Sequence, residues 1–290
     1  MEGIRSASHA GSWYVGSTAQ LNTQLNNWLS QAEISQPQAK VIIGPHAGYA
    51  YSGPTAAWAY KHINPSTYNR VFLLGPSHHV YIPGCALPCS AVYETPLGNL
   101  PIDEETVSEL ANTQKFARLT LEAEEEEHSL EMHMPYIRKV FENKDIRLVP
   151  IMVGNLKNKA EEDYGKLLAP FLRDPATLFV VSSDFCHWGS RFGFTPYDRS
   201  KGEIHQSIEA MDREGMRLIE QQNPEGFQQY LKDTDNTICG RHPIAVTLFA
   251  MRHSGLNFQT RFVRYAQSEN VTNPRGSSVS YAAGVSSVNE

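Results

Sequence analysis

Apolar positions in this chain fall into two patterns. The runs KVIIG (40–44), RVFLLG (70–75), IRLVPIMV (146–153) and TLFVVSSD (177–184) are rich in Val, Ile, Leu and Phe. Unbroken apolar runs of this length predict strands covered on both faces, because a strand with one wet face alternates. Between them apolar residues recur at helical spacing: Leu21, Leu25 and Leu29; Leu167, Leu168 and Leu172; Ile204, Ile208, Met211 and Ile219. This alternation predicts a mostly parallel sheet between two layers of helices, a three-layer α/β/α arrangement. The tail differs. FQTRFVRYAQ (258–267) and SVSYAAGVSS (278–287) read as two strands with no helix between them, expected to close the sheet antiparallel. With no repeat, low-complexity linker or composition break, residues 1–290 are expected to form one domain.

Composition narrows the function more than the fold. The 290 residues are 41% hydrophobic and 19% charged, ordinary for a globular chain able to bury a core. A formal net charge of -6 offers no broad basic surface, which argues against nucleic-acid binding. Four cysteines without a disulfide framework, and no apolar leader or span, point to a cytoplasmic protein without membrane insertion. Cys85 and Cys89 read as surface-loop thiols. The one charge run, EEEE at 124–127, reads as a solvated turn or helix start.

Ligands of open parallel sheets bind at the carboxyl ends of the strands, and polar clusters fall there. His46, Tyr49 and Tyr51 follow the first run; His78 and His79 the second; Asp184, Cys186, His187 and Arg191 the fourth. A further cluster, Cys239, Arg241 and His242, precedes the helical run IAVTLFAM, where a helix start would lower the thiol pKa. Small residues at the strand ends would let these side chains crowd one pocket. Imidazoles with one anionic ligand suit Fe(II), Zn(II) or Cu better than Mg or Ca. A nucleophilic Cys239, His187, Asp184 set is formally available but leaves His46 and His78 without a role. His128, Glu131 and His133 read as structural or supporting, and the place of His9 is open although Trp13 beside it could wall a pocket. No P-loop, G-x-G-x-x-G, G-x-S-x-G or H-E-x-x-H occurs, so no nucleotide cofactor is expected.

ASHAGSWY, PHAGYAYSG, GPSHHV, VVSSDFCHWG, NTICGRHP and SSVSYAAG, spread over residues 7–284, resemble in order and wording the Memo family, mediators of receptor-driven cell motility, in a eukaryotic form. The resemblance implies a fold similar to the class III extradiol dioxygenases, which hold non-haem Fe(II) with two histidines and a glutamate. Carried over, His46 and His78 match the histidine ligands and Cys239 the third position, with Fe(II) or Cu as cofactor. His187 and Asp184 lie where a base or a supporting group would sit, and His79 is expected to point away. A cysteine in place of the carboxylate argues against ring cleavage. The resemblance further implies a phosphotyrosine segment of a receptor tyrosine kinase as partner, contact with an oxidase complex, and effects on Rho-type GTPases, microtubules, migration and reactive oxygen species. Trp13, Tyr51, Arg191 and Arg241 are the residues expected to grip such a peptide. The alternatives are an active Fe(II)-dependent oxygenase or oxidoreductase, and a phosphotyrosine adaptor that needs no metal.

Overall fold

The computed structural model describes residues 1–289. Four parallel strands form its centre: Val41–Gly44, Thr177–Ser182, Arg70–Pro76 and Arg147–Val153, in that spatial order. Every residue of Val41–Gly44 and Thr177–Ser182 is buried, as expected of strands with helices on both faces. Phe72 and Phe179 stack face to face across adjacent strands at 4.8 Å. Among the described residues the sheet has nine strands and is mixed. Ser278–Val288 runs antiparallel beside Val41–Gly44, and Phe258–Gln267 pairs antiparallel with it, so the tail closes the sheet as the pattern predicts. The short strands Cys85–Leu87 and Phe116–Arg118 complete the far edge, and His187–Trp188 completes the near one.

Helices flank this sheet. Asn158–Arg173 and Arg241–Ser254 pack together against the central strands, while Tyr49–Tyr60 lies over the antiparallel side with Thr18–Gln31 and Met134–Val140 beside it. Leu21 and Leu25 are fully buried, and Ile204, Ile208, Met216 and Ile219 anchor Ile204–Glu220. Two expectations fail. Cys85 is not a loop thiol: it sits within a strand and is buried, while Cys89 is half-buried. For the acidic run it is only the solvation that fails, and only in part: Glu124 and Glu127 are buried while Glu126 is exposed, and the run does lie at helix starts, with Glu124 in the first turn of Leu121–Glu126 and Glu127 capping His128–Glu131. Glu124 accepts from Ser90 through both its backbone and its hydroxyl, and a buried carboxylate is tolerable only with such partners. Among the described residues no helix is long and apolar enough to cross a membrane.

Candidate metal centre at the carboxyl ends of the parallel strands

Register places the first two residues side by side. Gly44 pairs with Ser182, so the loops carrying His46 and Asp184 leave neighbouring strands at the same height. The backbone N–H groups of His46 and Ala47 donate to Asp184 Oδ1 at 2.9 and 3.3 Å. Cys239 arrives from the other side, just before Arg241–Ser254 begins, and its Sγ lies 3.2 Å from His46 Nε2. Gly240 makes this approach possible. A Cβ there would stand 2.3 Å from Ser183 Cβ and 2.5 Å from Ser182 O, so no other residue lets the loop sit this close. Across His46, the His78 ring lies edge-on at 5.2 Å.

The hydrogen bonds behind these imidazoles decide which nitrogens face inward. Ser182 Oγ donates to Ser129 O, so it accepts from His46 Nδ1, 2.6 Å away. That leaves His46 Nε2 as a free lone pair facing Cys239. His78 Nδ1 donates to Glu127 Oε1 at 2.8 Å, and the His78 backbone N–H donates to Glu127 Oε2 at 2.6 Å. Its Nε2 is likewise left free. Outer groups that take the Nδ1 proton are what fix imidazole orientation around metals. His187 follows the same rule: its Nδ1 is held between the Phe185 and Thr237 carbonyls at 2.9 and 3.2 Å.

Ligand atoms of His46, Asp184 and Cys239 lie within 4.8 Å of one another, and so do those of His46, His78 and His128. The two groups share His46. Sequence reasoning gave His128 a supporting role, whereas its ring stands within the cluster, stacked on His78 at 4.5 Å, and its buried Nδ1 has no hydrogen-bond partner. A buried nitrogen without a partner, beside free Nε2 lone pairs and a thiol, is a donor set that fits a transition-metal ion. His79 is exposed, its ring edge-on to His128 at 6.0 Å.

Electrostatics favour the neutral forms of the buried His46 and His128 imidazoles and of the Cys239 thiol. Burial, then the neighbouring His78, His128, His133 and His187, holds the His46 pKa well below the usual histidine range. Burial and His78 bring His128 down to about 3. Burial raises Asp184, against the opposing pull of His187 and the two backbone N–H groups. Cys239 corrects an expectation: burial and then the Asp184 charge push its thiol up, so the helix start does not make it a thiolate. A bound metal would displace that proton. Glu127 goes the other way. Burial alone would raise its carboxyl, but hydrogen bonds from His78 and Ser129 outweigh burial and bring it down to about 2.

Of the four residues expected to grip a peptide, Trp13 is 37% exposed and stacks on His128 at 4.3 Å, bordering the cluster. Tyr51 is 63% exposed, and both it and Arg191 lie close enough to Tyr281 to act on its phenol. The Arg191 guanidinium rests over Phe192, while Arg241 donates Nε to Ile238 O. Glu127, Ser182 and Thr237 were not found from the sequence, because each acts through a partner far along the chain.

These features define an α/β protein with a cluster of histidine, cysteine and aspartate side chains at the carboxyl ends of its parallel strands. The chain belongs to the Memo family: residues 5–285 match the family described as Memo-like protein. It is 52% identical over 285 residues to Protein MEMO1 of Xenopus tropicalis, covering 97% of this chain and 96% of that one. It is 50% identical to Protein MEMO1 of Homo sapiens over 289 residues, covering 98% and 97%, and 47% identical to the Protein memo-1 homolog of Caenorhabditis elegans, covering 98% and 83%. Among solved structures it is similar to an uncharacterized Escherichia coli K12 protein, JW3007, at 12% identity and TM-score 0.49, covering 84% of this chain and 99% of that one.

Proposed function

We propose that this Memo-family chain is a metal-binding signalling protein that holds iron or copper with His46, His78 and Cys239. The observation that carries the reading is the pairing of His46 Nε2 with Cys239 Sγ at 3.2 Å while both histidines commit Nδ1 to Ser182 and Glu127. A metal bound there would supply one-electron redox chemistry, and a soft thiolate ligand favours Cu or an electron-rich Fe over the carboxylate-bound Fe(II) of ring-cleaving enzymes. His187, with Nδ1 held by carbonyls, is the base or supporting group in this reading, together with Asp184. The signalling part assigns a phosphotyrosine segment of a receptor tyrosine kinase to the rim formed by Trp13, Tyr51, Arg191 and Arg241, upstream of Rho-type GTPases and the microtubule cytoskeleton.

Anaerobic purification without chelator, followed by metal analysis, tests the first part. The expected result is close to one ion per chain, lost in His46→Ala, His78→Ala and Cys239→Ala while circular dichroism shows each variant folded. A folded wild type that binds neither Fe(II) nor Cu(I) would overturn it. Titration with a phosphotyrosine peptide in wild type and Arg191→Ala tests the second part, and equal affinity in the two removes Arg191 from the rim.

A further inference from the structure

The amino ends of the parallel strands carry a second feature, which the metal reading leaves unused. Lys40, Tyr68 and Pro175 stand just before the strands Val41–Gly44, Arg70–Pro76 and Thr177–Ser182, at the opposite end of the sheet from the histidine cluster. A strand of this length separates the two ends by about 20 Å. With Arg173, Leu256 and Val288 these residues line a surface cavity of about 580 Å³, a size that suits a small organic ligand.

The cavity holds charge of one sign, since Lys40 and Arg173 line it and no described Asp or Glu does. Lys40 is 6% exposed. Its Nζ donates to the carbonyls of Asp174 and Thr177, which leaves one of its three ammonium protons for another acceptor. Burial brings the Lys40 ammonium down to about 8, against the opposing pull of Asp174. That carboxylate is committed elsewhere: it accepts from Arg70 Nη1 at 3.2 Å, Thr177 Oγ1 at 3.0 Å and the Ala176 N–H at 3.0 Å. Among the described residues neither Lys40 nor Arg173 pairs with a carboxylate, whereas Arg70 beside them pairs with two. A buried cation without a counter-charge is unfavourable, and an anion seated beside it relieves that cost.

We propose that this cavity binds a small organic acid, its carboxylate held by Lys40 and Arg173 and its apolar body resting on Pro175, Leu256 and Val288. Lys40 supplies a fixed point charge from the floor of the site, where its Nζ lies 5.8 Å from the centre of the buried Tyr68 ring. Tyr68 is itself held, its hydroxyl donating to Ala39 O at 2.5 Å. Arg173 is exposed and offers a planar fork that meets the same carboxylate from the solvent side. Leu256 and Val288 are half-buried and present apolar surface for a ligand to cover. A neutral molecule of the same shape gains those apolar contacts but leaves the Lys40 charge unanswered, so the site selects for the anion. It needs no metal, and lies beyond the reach of any ligand held at His46.

Octanoate and octanol, matched in length and different in charge, are the probes, each titrated calorimetrically into the full chain. Octanoate is expected to bind saturably at a single site, about tenfold or more tighter than octanol. Lys40→Met keeps the apolar stem and removes the charge, and should weaken octanoate by about tenfold while leaving octanol unchanged. Arg173→Glu changes an exposed position, so the fold is not at stake, and reverses the charge at the mouth; octanoate should weaken at least as much. Circular dichroism checks that each variant is folded, and Arg173→Glu decides alone if Lys40→Met is not. A wild type that binds octanoate no better than octanol overturns the site, and so does wild-type octanoate affinity in either folded variant.

Discussion

Glu127 and Glu131 stand one helical turn apart, both buried, both bonded to a histidine Nδ1 and both brought down to about 2 despite the burial that would raise them. Their surroundings differ in one decisive way. Glu131 faces the fully buried Arg5 guanidinium at 2.6 Å and also accepts from His9, Tyr14 and Ser8. Its charge is balanced inside the protein, and the result is a strut that ties the N-terminal segment down. Among the described residues the Glu127 carboxylate pairs with no Lys or Arg, only with the imidazoles of His78 at 2.8 Å and His128 at 3.6 Å, although Arg5 Nη2 donates to the Glu127 backbone carbonyl at 3.2 Å. A buried carboxylate whose charge neighbours are imidazoles stabilises a cation at the far side of those rings. The difference teaches that identical residues, four apart, can be neutralised inside the fold in one case and left facing the imidazoles of the candidate metal cluster in the other.

The largest expected effect breaks the balanced pair. Arg5→Met leaves Glu131 buried without its cation, and urea unfolding is expected to show a loss of about 3–5 kcal/mol. The folded fraction should bind metal as wild type does. Glu127→Gln is the converse test: it keeps an acceptor for His78 but removes the charge. Metal affinity is expected to fall by about 10–100-fold, roughly 1.4–2.7 kcal/mol, with a smaller change in unfolding free energy than in Arg5→Met. If Arg5→Met weakens metal binding in folded protein as much as Glu127→Gln does, the division between the two carboxylates is wrong.

None of this division was legible in the sequence. The central strands were, because runs such as RVFLLG have one way to hide, and so were His46, His78 and Asp184, which follow small residues at strand ends. Four consecutive glutamates read as solvated because like charges repel; burial of Glu127 depends on His78, 49 residues away, and the balance of Glu131 on Arg5 in the distant strand Ile4–Arg5. Such partners are invisible to any local window. Cys239 shows the same limit, since its position before a helix is local and legible, whereas the burial and the Asp184 charge that govern its thiol are not. The two- and three-residue strands, such as Ile4–Arg5 and Cys85–Leu87, are too short to leave a pattern.

Acid separates the histidines from the carboxylates. His128 and His133 are both held to about 3, chiefly by burial, against an ordinary value of 6.5. Between those values the unfolded chain takes up protons that the folded one refuses. Stability is therefore complete above the unfolded value and falls as pH drops toward 3, by about 1.4 kcal/mol per pH unit for each such histidine. Glu127 and Glu131 act in the same direction but only below the ordinary carboxyl value of 4.5, as pH falls toward 2. His133→Gln, which leaves an acceptor near the Tyr60 hydroxyl, should flatten the slope between roughly pH 6.5 and 4.5 by one proton. An unchanged slope in that variant would mean that His133 is not buried as the neutral form.

The smallest expected effect sharpens how Glu127 is held. Thr120 caps the helix Leu121–Glu126, its hydroxyl accepting from the Ala123 N–H at 3.2 Å, and Glu127 is the residue on which that helix ends. Thr120→Ala should cost about 1 kcal/mol of stability through the lost cap. Yet Glu127 is also fixed from its other side, where Oε1 accepts from the Ser129 N–H at 2.8 Å and Oε2 from the His78 backbone. Those two bonds do not depend on the preceding turn, so metal affinity in Thr120→Ala should match wild type even as the urea midpoint shifts. Loss of affinity beyond the error of the titration would show that the helix, and not the loop that follows it, aims Glu127 at His78.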